Sequence, residues 1–225
     1  MDDPRTPHRS AAAATGRAAA DSTGRDRPMQ QRAARTRARL LAAAAEVFDE
    51  VGYLAATLDE IVSRAGVAKG ALYFHFGSKG ELAAAVVTAH HTAWAALAQD
   101  AAAGAPDALT GLDRMIDGVT QLFVASPVTR AATRLANEHH VIDTPVAEPF
   151  VGWIGRVTET LRAGKRDGSV AAHVVCAPAA RSIVASYYGV QAVSFRLTRG
   201  SDLPARVTEW WAMLRPTVAA QPASA

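Results

Sequence analysis

The sequence predicts an all-α protein. Apolar residues recur at three- and four-residue steps along almost the whole chain, sustained apolar/polar alternation is missing, and no Asn-Gly or Asp-Gly hairpin joins two β-branched runs. Helix starts and stops then divide the pattern. The first helix spans residues 32–51, where Leu40, Leu41, Ala44, Phe48 and Val51 share one face and Gly52 supplies the stop. Thr57-Leu58-Asp59-Glu60 is a capping box, in which the Thr57 hydroxyl and the Glu60 carboxylate each answer a backbone amide that a first helical turn leaves orphaned. Its short helix runs to residue 65 and buries Leu58, Ile61, Val62 and Ala65. Gly66-Val67-Ala68 turns the chain into a second short helix over 69–75. Ser78-Lys79-Gly80-Glu81 is another capping box and opens a long helix toward residue 102.

Five further helices follow the Gly104-Ala105-Pro106 break. Asp107 caps one that reaches residue 125. Ser126 and Pro127 open the next as cap and first helical residue, and it runs to 137. A polar loop over 139–145 precedes a helix over 146–164, with Gly168 and Ser169 in the loop beyond it. Pro178 opens an apolar helix to residue 197. Asp202 and Pro204 open the last, Pro216 ends it, and an Ala/Pro-rich tail frays.

The 225 residues, 23.6 kDa, allow one large or two modest domains with a real core. A single Cys176 cannot form an intrachain bridge and suits a reducing compartment. Residues 1–31 lack the apolar stretch that export needs, and no apolar run reaches the length of a membrane span. A soluble, cytoplasmic protein without membrane contact is expected. The formal charge of +3 is uneven: residues 1–40 carry nine Arg against four Asp, and the remainder is slightly acidic. Such an arm reads either as a polyanion-binding segment or as a solvated, disordered tail. The expected organisation is a disordered Arg-rich arm over 1–31, a small helical domain over 32–80, a larger helical domain over 81–216, and a flexible tail over 217–225.

Residues 57–76 carry the chemistry. A helix, a Gly-centred turn and a second helix form the unit that lays its second helix in the DNA major groove. That second helix buries Leu72 and Phe76 and exposes Lys69, Tyr73 and His75, groups that reach phosphates and base edges. Gly70 lets the backbone approach DNA closely. Lys79 and the amides after Ser78 make a further anion site, Thr57 caps the first helix of the unit beside the phosphates, and Arg32, Arg35, Arg37 and Arg39 flank the unit with positive charge.

The run "LLAAAAEVFDEVGYLAATLDEIVSRAGVAKGALYFHFGSKGEL" resembles the DNA-binding domain of TetR-type transcriptional repressors. "KGALYFHF", "PVTRAATRL", "PFVGW" and "YGVQAVS" further resemble segments of the γ-butyrolactone autoregulator receptors of actinomycetes. The resemblance implies a homodimer that binds a pseudo-palindromic operator in double-stranded DNA and leaves it when a small hydrophobic effector such as a γ-butyrolactone fills the second domain. It implies that Pro149 couples the two sites and that Trp153 and Ser186 contact the ligand. Gln191, on the same helix as Ser186, faces the pocket or the dimer seam. By spacing alone Trp153 reads as a core residue and Ser186 as a hydroxyl bonded to its own helix. The last two helices offer Ile183, Val190, Leu197, Trp210 and Leu214 to a four-helix dimer interface, or to an ordinary monomer core.

Other readings find less support. Adjacent histidines at 90–91 and 139–140 point about 100° apart on a helix and do not chelate one ion, and His173 with Cys176 lacks a second ligand pair. No P-loop, G-x-S-x-G or dinucleotide fingerprint occurs, so neither an enzyme nor a cofactor is expected. Ser186, where the receptors commonly carry Thr, keeps open a receptor-like regulator that answers an antibiotic or another non-lactone metabolite.

Overall fold

Helix α1 (Ser22–Ala55) begins earlier than expected and bends at Gly52, whose φ of 81° belongs to the left-handed region. The computed structural model describes residues 22–146 and 150–221. Part of the arm expected to be disordered is therefore helical, because Gln, Arg, Ala and Met are good helix formers even without an apolar stripe. Residues 1–21 lie outside the described residues. The inward face of α1 is as expected at Leu40, Ala44 and Phe48, all fully buried, whereas Val51 is exposed.

The order continues with α2 (Leu58–Ala65), α3 (Lys69–His75), α4 (Lys79–Ala102), α5 (Ala108–Ala125), α6 (Pro127–Asn137), α7 (Val151–Asp167), α8 (Cys176–Thr198) and α9 (Leu203–Val218), with one 3-10 turn at His139–Val141. Among the described residues the only β-pairing is an isolated bridge between Val170 and Ala219. The caps act largely as the sequence foretells. Thr57 accepts from the Glu60 amide, Ser78 from Glu81, Asp107 from Thr110 and Ser126 from Thr129. At the second, Glu81 reaches back past the cap and accepts from the Gly77 amide at 2.8 Å. At the first, Glu60 turns instead to Arg64 at 3.2 Å.

Later boundaries also differ from expectation, and α8 starts at Cys176, two residues before Pro178. Helix α7 starts at Val151 because Phe150 takes a left-handed φ of 68°, and it runs to Asp167 before Gly168 at φ 85°. Helix α9 continues through Pro216 to Val218. A proline in the last turn deletes one backbone donor, and at this exposed position water can serve the freed carbonyl. Beyond it Ala220 donates to the Ser169 carbonyl at 2.9 Å, so the start of the tail is pinned.

Apolar side chains gather in two cores. One joins α1, α2 and α3 to the first half of α4 and to Ala131, Ala132 and Leu135 of α6. The other joins the second half of α4 to α5, α7, α8 and α9. The first core thus runs across residue 80 and recruits a helix more than forty positions further along the chain. Each fully buried Leu or Phe contributes about 1.5–3 kcal/mol relative to its exposed state.

Helix α6 is also tied to α1 by polar contacts. Arg130 Nε meets Asp49 Oδ2 at 2.8 Å, and its Nη1 donates to the Val124 carbonyl. Arg134 donates to the Asp49 and Glu50 carbonyls, and the Tyr53 amide donates to Glu138 Oε2 at 2.6 Å. Arg134 and Glu138 thereby answer the carbonyls and the amide that the Gly52 bend frees from the helical ladder.

Replacing Arg130 with Ala leaves the largely buried Asp49 carboxylate without its cation, and a loss of about 1–3 kcal/mol is expected in urea denaturation. Arg206→Ala removes an exposed pair with Asp202 at the start of α9 and is expected to leave the urea midpoint essentially unchanged.

Candidate nucleic-acid interface and internal cavity

The α2–turn–α3 unit is braced from behind. Gly66 closes α2 in the left-handed conformation, and Arg39 of α1 donates to its carbonyl at 3.0 Å. Arg64 in the last turn of α2 forms a bidentate pair with Glu50 of α1, at 2.6 and 2.9 Å. Leu72 is the buried side chain of α3, and Phe76 follows it into the core with the Arg37 guanidinium 4.9 Å above its ring. Anchored on that side, α3 turns its other face outward.

Several expected DNA-facing residues lie on that outer face. Tyr73 is 52% exposed, Lys69 and Thr57 are exposed, His75 is half-buried, and a Cβ at Gly70 would meet nothing within 4 Å. Phe74 was not singled out by the sequence reading, yet it is 80% exposed and packs edge-on to His75 at 5.0 Å. Its signal was available: on a seven-residue helix anchored at Leu72, positions 73 and 74 must both point away. Lys69 is not free, because Asp59 of α2 lies 2.6 Å from its ammonium and holds its pKa above the usual lysine range. A phosphate at this face would share the ammonium with that carboxylate or displace it.

Lys79 is placed differently from expectation. Its ammonium donates to the Tyr53 and Ala56 carbonyls at 2.8 and 3.0 Å and stands 4.5 Å over the Tyr53 ring. It caps the end of α1, since the α1 carbonyls past Gly52 need a donor.

Behind this unit lies a cavity of about 260 Å³ between α4, α5, α6, α7 and α8. Trp153 and Gln191 line it as expected. Ser186 does not: its hydroxyl donates back to the Ser182 carbonyl at 2.6 Å, the alternative that the sequence also offered. Pro149 lies outside the described residues. The next residue, Phe150, lines the cavity in its left-handed conformation and packs edge-on to Tyr188 at 5.0 Å. The Tyr188 hydroxyl donates to Asn137 of α6 at 2.8 Å, which joins α6 and α8 beside the cavity.

Among the described residues no Asp, Glu, Lys or Arg lines the cavity. Its polar lining includes His90 and His91 of α4, Thr129 and Thr133 of α6, and Gln191, which is buried. Tyr187 hydrogen bonds to Thr120 at 3.1 Å, and burial pushes its phenol up to about 12. Its ring continues an aromatic series from Trp153 at 4.9 Å to Trp210 at 5.8 Å. Burial, with a smaller repulsion from His91, pushes the His90 imidazole down to about 4.

The expected dimer residues divide. Ile183 and Trp210 belong to the chain's own core, and Val190 and Leu214 pack against it. Leu197 is 72% exposed, together with Val193 and Met213. Both helices carry apolar residues on two faces, and periodicity alone does not say which face stays inside. No group of three or more potential metal ligands occurs among the described residues, and none of their helices is long and apolar enough to cross a membrane.

Comparison with known proteins gives a consistent set. Residues 40–86 match the family described as bacterial regulatory proteins, tetR family, and residues 107–219 match the tetracyclin repressor-like C-terminal domain. The A-factor receptor protein of Streptomyces griseus is 36% identical over 193 residues, covering 84% of this chain and 66% of that protein's length. A gamma-butyrolactone receptor described as ArpA-like superposes with a TM-score of 0.71 at 35% identity, covering 84% of this chain and 90% of that one. CprB from Streptomyces coelicolor, solved in complex with its biological operator sequence, superposes at 0.74 with 35% identity and the same coverages. The transcriptional activator FasR of Mycolicibacterium smegmatis is 57% identical, but over 54 residues only, 24% of this chain and 25% of that protein.

The unfolded His90 takes up a proton near pH 6.5, whereas the folded one stays neutral down to about 4. The stability from keeping it neutral is therefore complete above 6.5 and is lost as the pH falls toward 4. In urea titrations across that window His90→Phe is expected to lose about 2–3 kcal/mol less than the wild type. Equal losses would mean that His90 protonates freely in the folded protein.

Proposed function

The chain belongs to the TetR family of bacterial regulatory proteins, and from that premise we propose that it is a ligand-responsive transcriptional repressor. In this reading two copies bind the halves of a pseudo-palindromic operator, and a small hydrophobic effector such as a γ-butyrolactone releases them. The observation that carries it is the double duty of α6. Thr129, Ala132, Thr133 and Ala136 line the cavity, while Ala131, Ala132 and Leu135 lie in the core that holds α3. A molecule that fills the cavity and displaces α6 also moves the seat of the reading helix.

The direction of coupling follows from differential affinity. The effector must bind the arrangement that cannot grip the operator more tightly, typically by about 1–3 kcal/mol. Helix α4 adds a second path, since its first half packs with α3 and its second half lines the cavity and joins the other core. Dimerisation is assigned to the outer faces of α8 and α9, where Val193, Leu197 and Met213 are exposed beside Gly189 and Ala212. Such a pairing sets two α3 helices about 34 Å apart, one turn of duplex. In this reading the regulator works inside the cell and performs no catalysis.

The turned-away Ser186 hydroxyl favours a second reading, a receptor-like regulator for an antibiotic or another non-lactone metabolite. Titrating a selected operator complex with lactones and with antibiotics in a mobility-shift assay separates the two. Release by neither class would remove the effector reading.

Tyr73→Ala is expected to weaken binding to a selected operator by tenfold or more while leaving the thermal unfolding temperature within a degree or two. Trp153→Ala is expected to retain operator affinity and lose effector-induced release. Deleting residues 1–31 tests the arm. If its arginines neutralise phosphates, the plot of log affinity against log salt becomes shallower by about 0.9 per lost contact. An unchanged slope would leave the segment without a part in binding.

A further inference from the structure

His90 sits on α4 within the cavity lining, with Val87 and Trp94 on either side of it along the helix. Its Nδ1 is buried and has no hydrogen-bond partner. An imidazole nitrogen sealed in this way is better left as a bare lone pair than as an unanswered N–H, because orphaned buried donors are rarer and costlier than under-used acceptors. The ring proton then belongs on Nε2, the nitrogen that remains available to a molecule in the cavity. His91 does not compete for it: the two rings stand 5.6 Å apart, centre to centre, and His91 is exposed. No carboxylate, ammonium or guanidinium lines the cavity among the described residues. An isolated N–H in such a lining pairs with an uncharged acceptor, since a charged ligand would lose its hydration without a counter-ion.

We propose that His90 is the specificity-determining donor of the cavity: its Nε2–H selects an uncharged, largely apolar effector that presents a carbonyl or comparable acceptor oxygen, with the Gln191 amide of α8 as the second polar handle. The proposal rests on the effector reading of this same cavity and adds to it the chemical group that is recognised. It also gives a role to a buried imidazole that contributes no hydrogen bond to the fold. A ligand of equal shape that lacks the oxygen leaves the donor unanswered, and a cavity built to hydrogen bond rejects such a ligand more strongly than one built on shape alone.

The test uses the full chain and two probes, γ-decalactone and its tetrahydrofuran counterpart, which keeps the ring and the alkyl chain but lacks the carbonyl oxygen. Calorimetric titration of the wild type is expected to show the lactone binding about tenfold or more tightly than the ether. His90→Phe is expected to abolish that preference and His90→Gln, which restores an N–H donor, to recover most of it. Equal affinities in the wild type, or a preference that survives in the Phe variant, would overturn the proposal. A second measurement needs no ligand: nitrogen NMR of histidine-labelled protein at neutral pH is expected to show His90 neutral with its proton on Nε2. A proton on Nδ1, or on both nitrogens, would overturn the donor assignment. If neither probe binds the wild type, the lactone class fails, and the NMR result still decides whether His90 is the donor.

Discussion

The seating of α6 against the bent end of α1 is the constraint on which the rest depends. Gly52 interrupts the α1 ladder, and the groups it frees would be costly if left unanswered. Arg134 of α6, Glu138 at its C-terminal end and Lys79 of α4 answer them, while Arg130 pairs with the Asp49 carboxylate and Ala131, Ala132 and Leu135 close the apolar space beneath. A Cβ on Gly52 would collide with Arg134 and Glu138, so the bend and the clamp require each other. Without this contact the short helices α2 and α3 would have less to bury against, and at eight and seven residues they are too short to be stable alone.

Helix existence was largely legible in the sequence because caps are local. Ser78 with Glu81, Asp107 with Thr110, and Ser126 with Pro127 each fix a helix start by contacts within four residues. The misjudged boundaries depend on longer-range causes. The late start of α7 follows from the conformation of Phe150, whose ring packs against Tyr188 of a different helix. The continuation of α9 through Pro216 is supported by pairing of the following residues with the loop around Ser169 and Val170. The early part of α1 carries no buried side chain from Met29 to Arg39, so periodicity has nothing to report there.

The candidate sites were legible in a similar proportion and for the same reason. Tyr73 and Gly70 lie outward because Leu72 must lie inward, an inference the helical period allows. Lys79, by contrast, has a charge that suits a phosphate, and only the packed structure reveals that its ammonium meets the α1 carbonyls. Ser186 is misplaced by the phase of α8: Tyr187 and Gln191 face inward, and the serine beside them bonds to its own helix. The same ambiguity of phase sends Ile183 and Trp210 into the interior while Leu197 remains outside. His90 escaped notice as a functional group because its isolation is a property of three dimensions, and the sequence displays only its neighbour His91.

The two-sided nature of α6 bears on how such a protein can change over generations. Its cavity-facing positions, Thr129, Ala132, Thr133 and Ala136, are interleaved with those that grip α1, so enlarging a residue there to suit a new small molecule would disturb the grip on the duplex. Helices α4 and α7 carry His90, Trp94, Gly152 and Trp153 on segments that do not bear directly on α3. Drift in chemical preference is therefore channelled toward those walls, and a lineage can acquire new signals while its reading head stays the same.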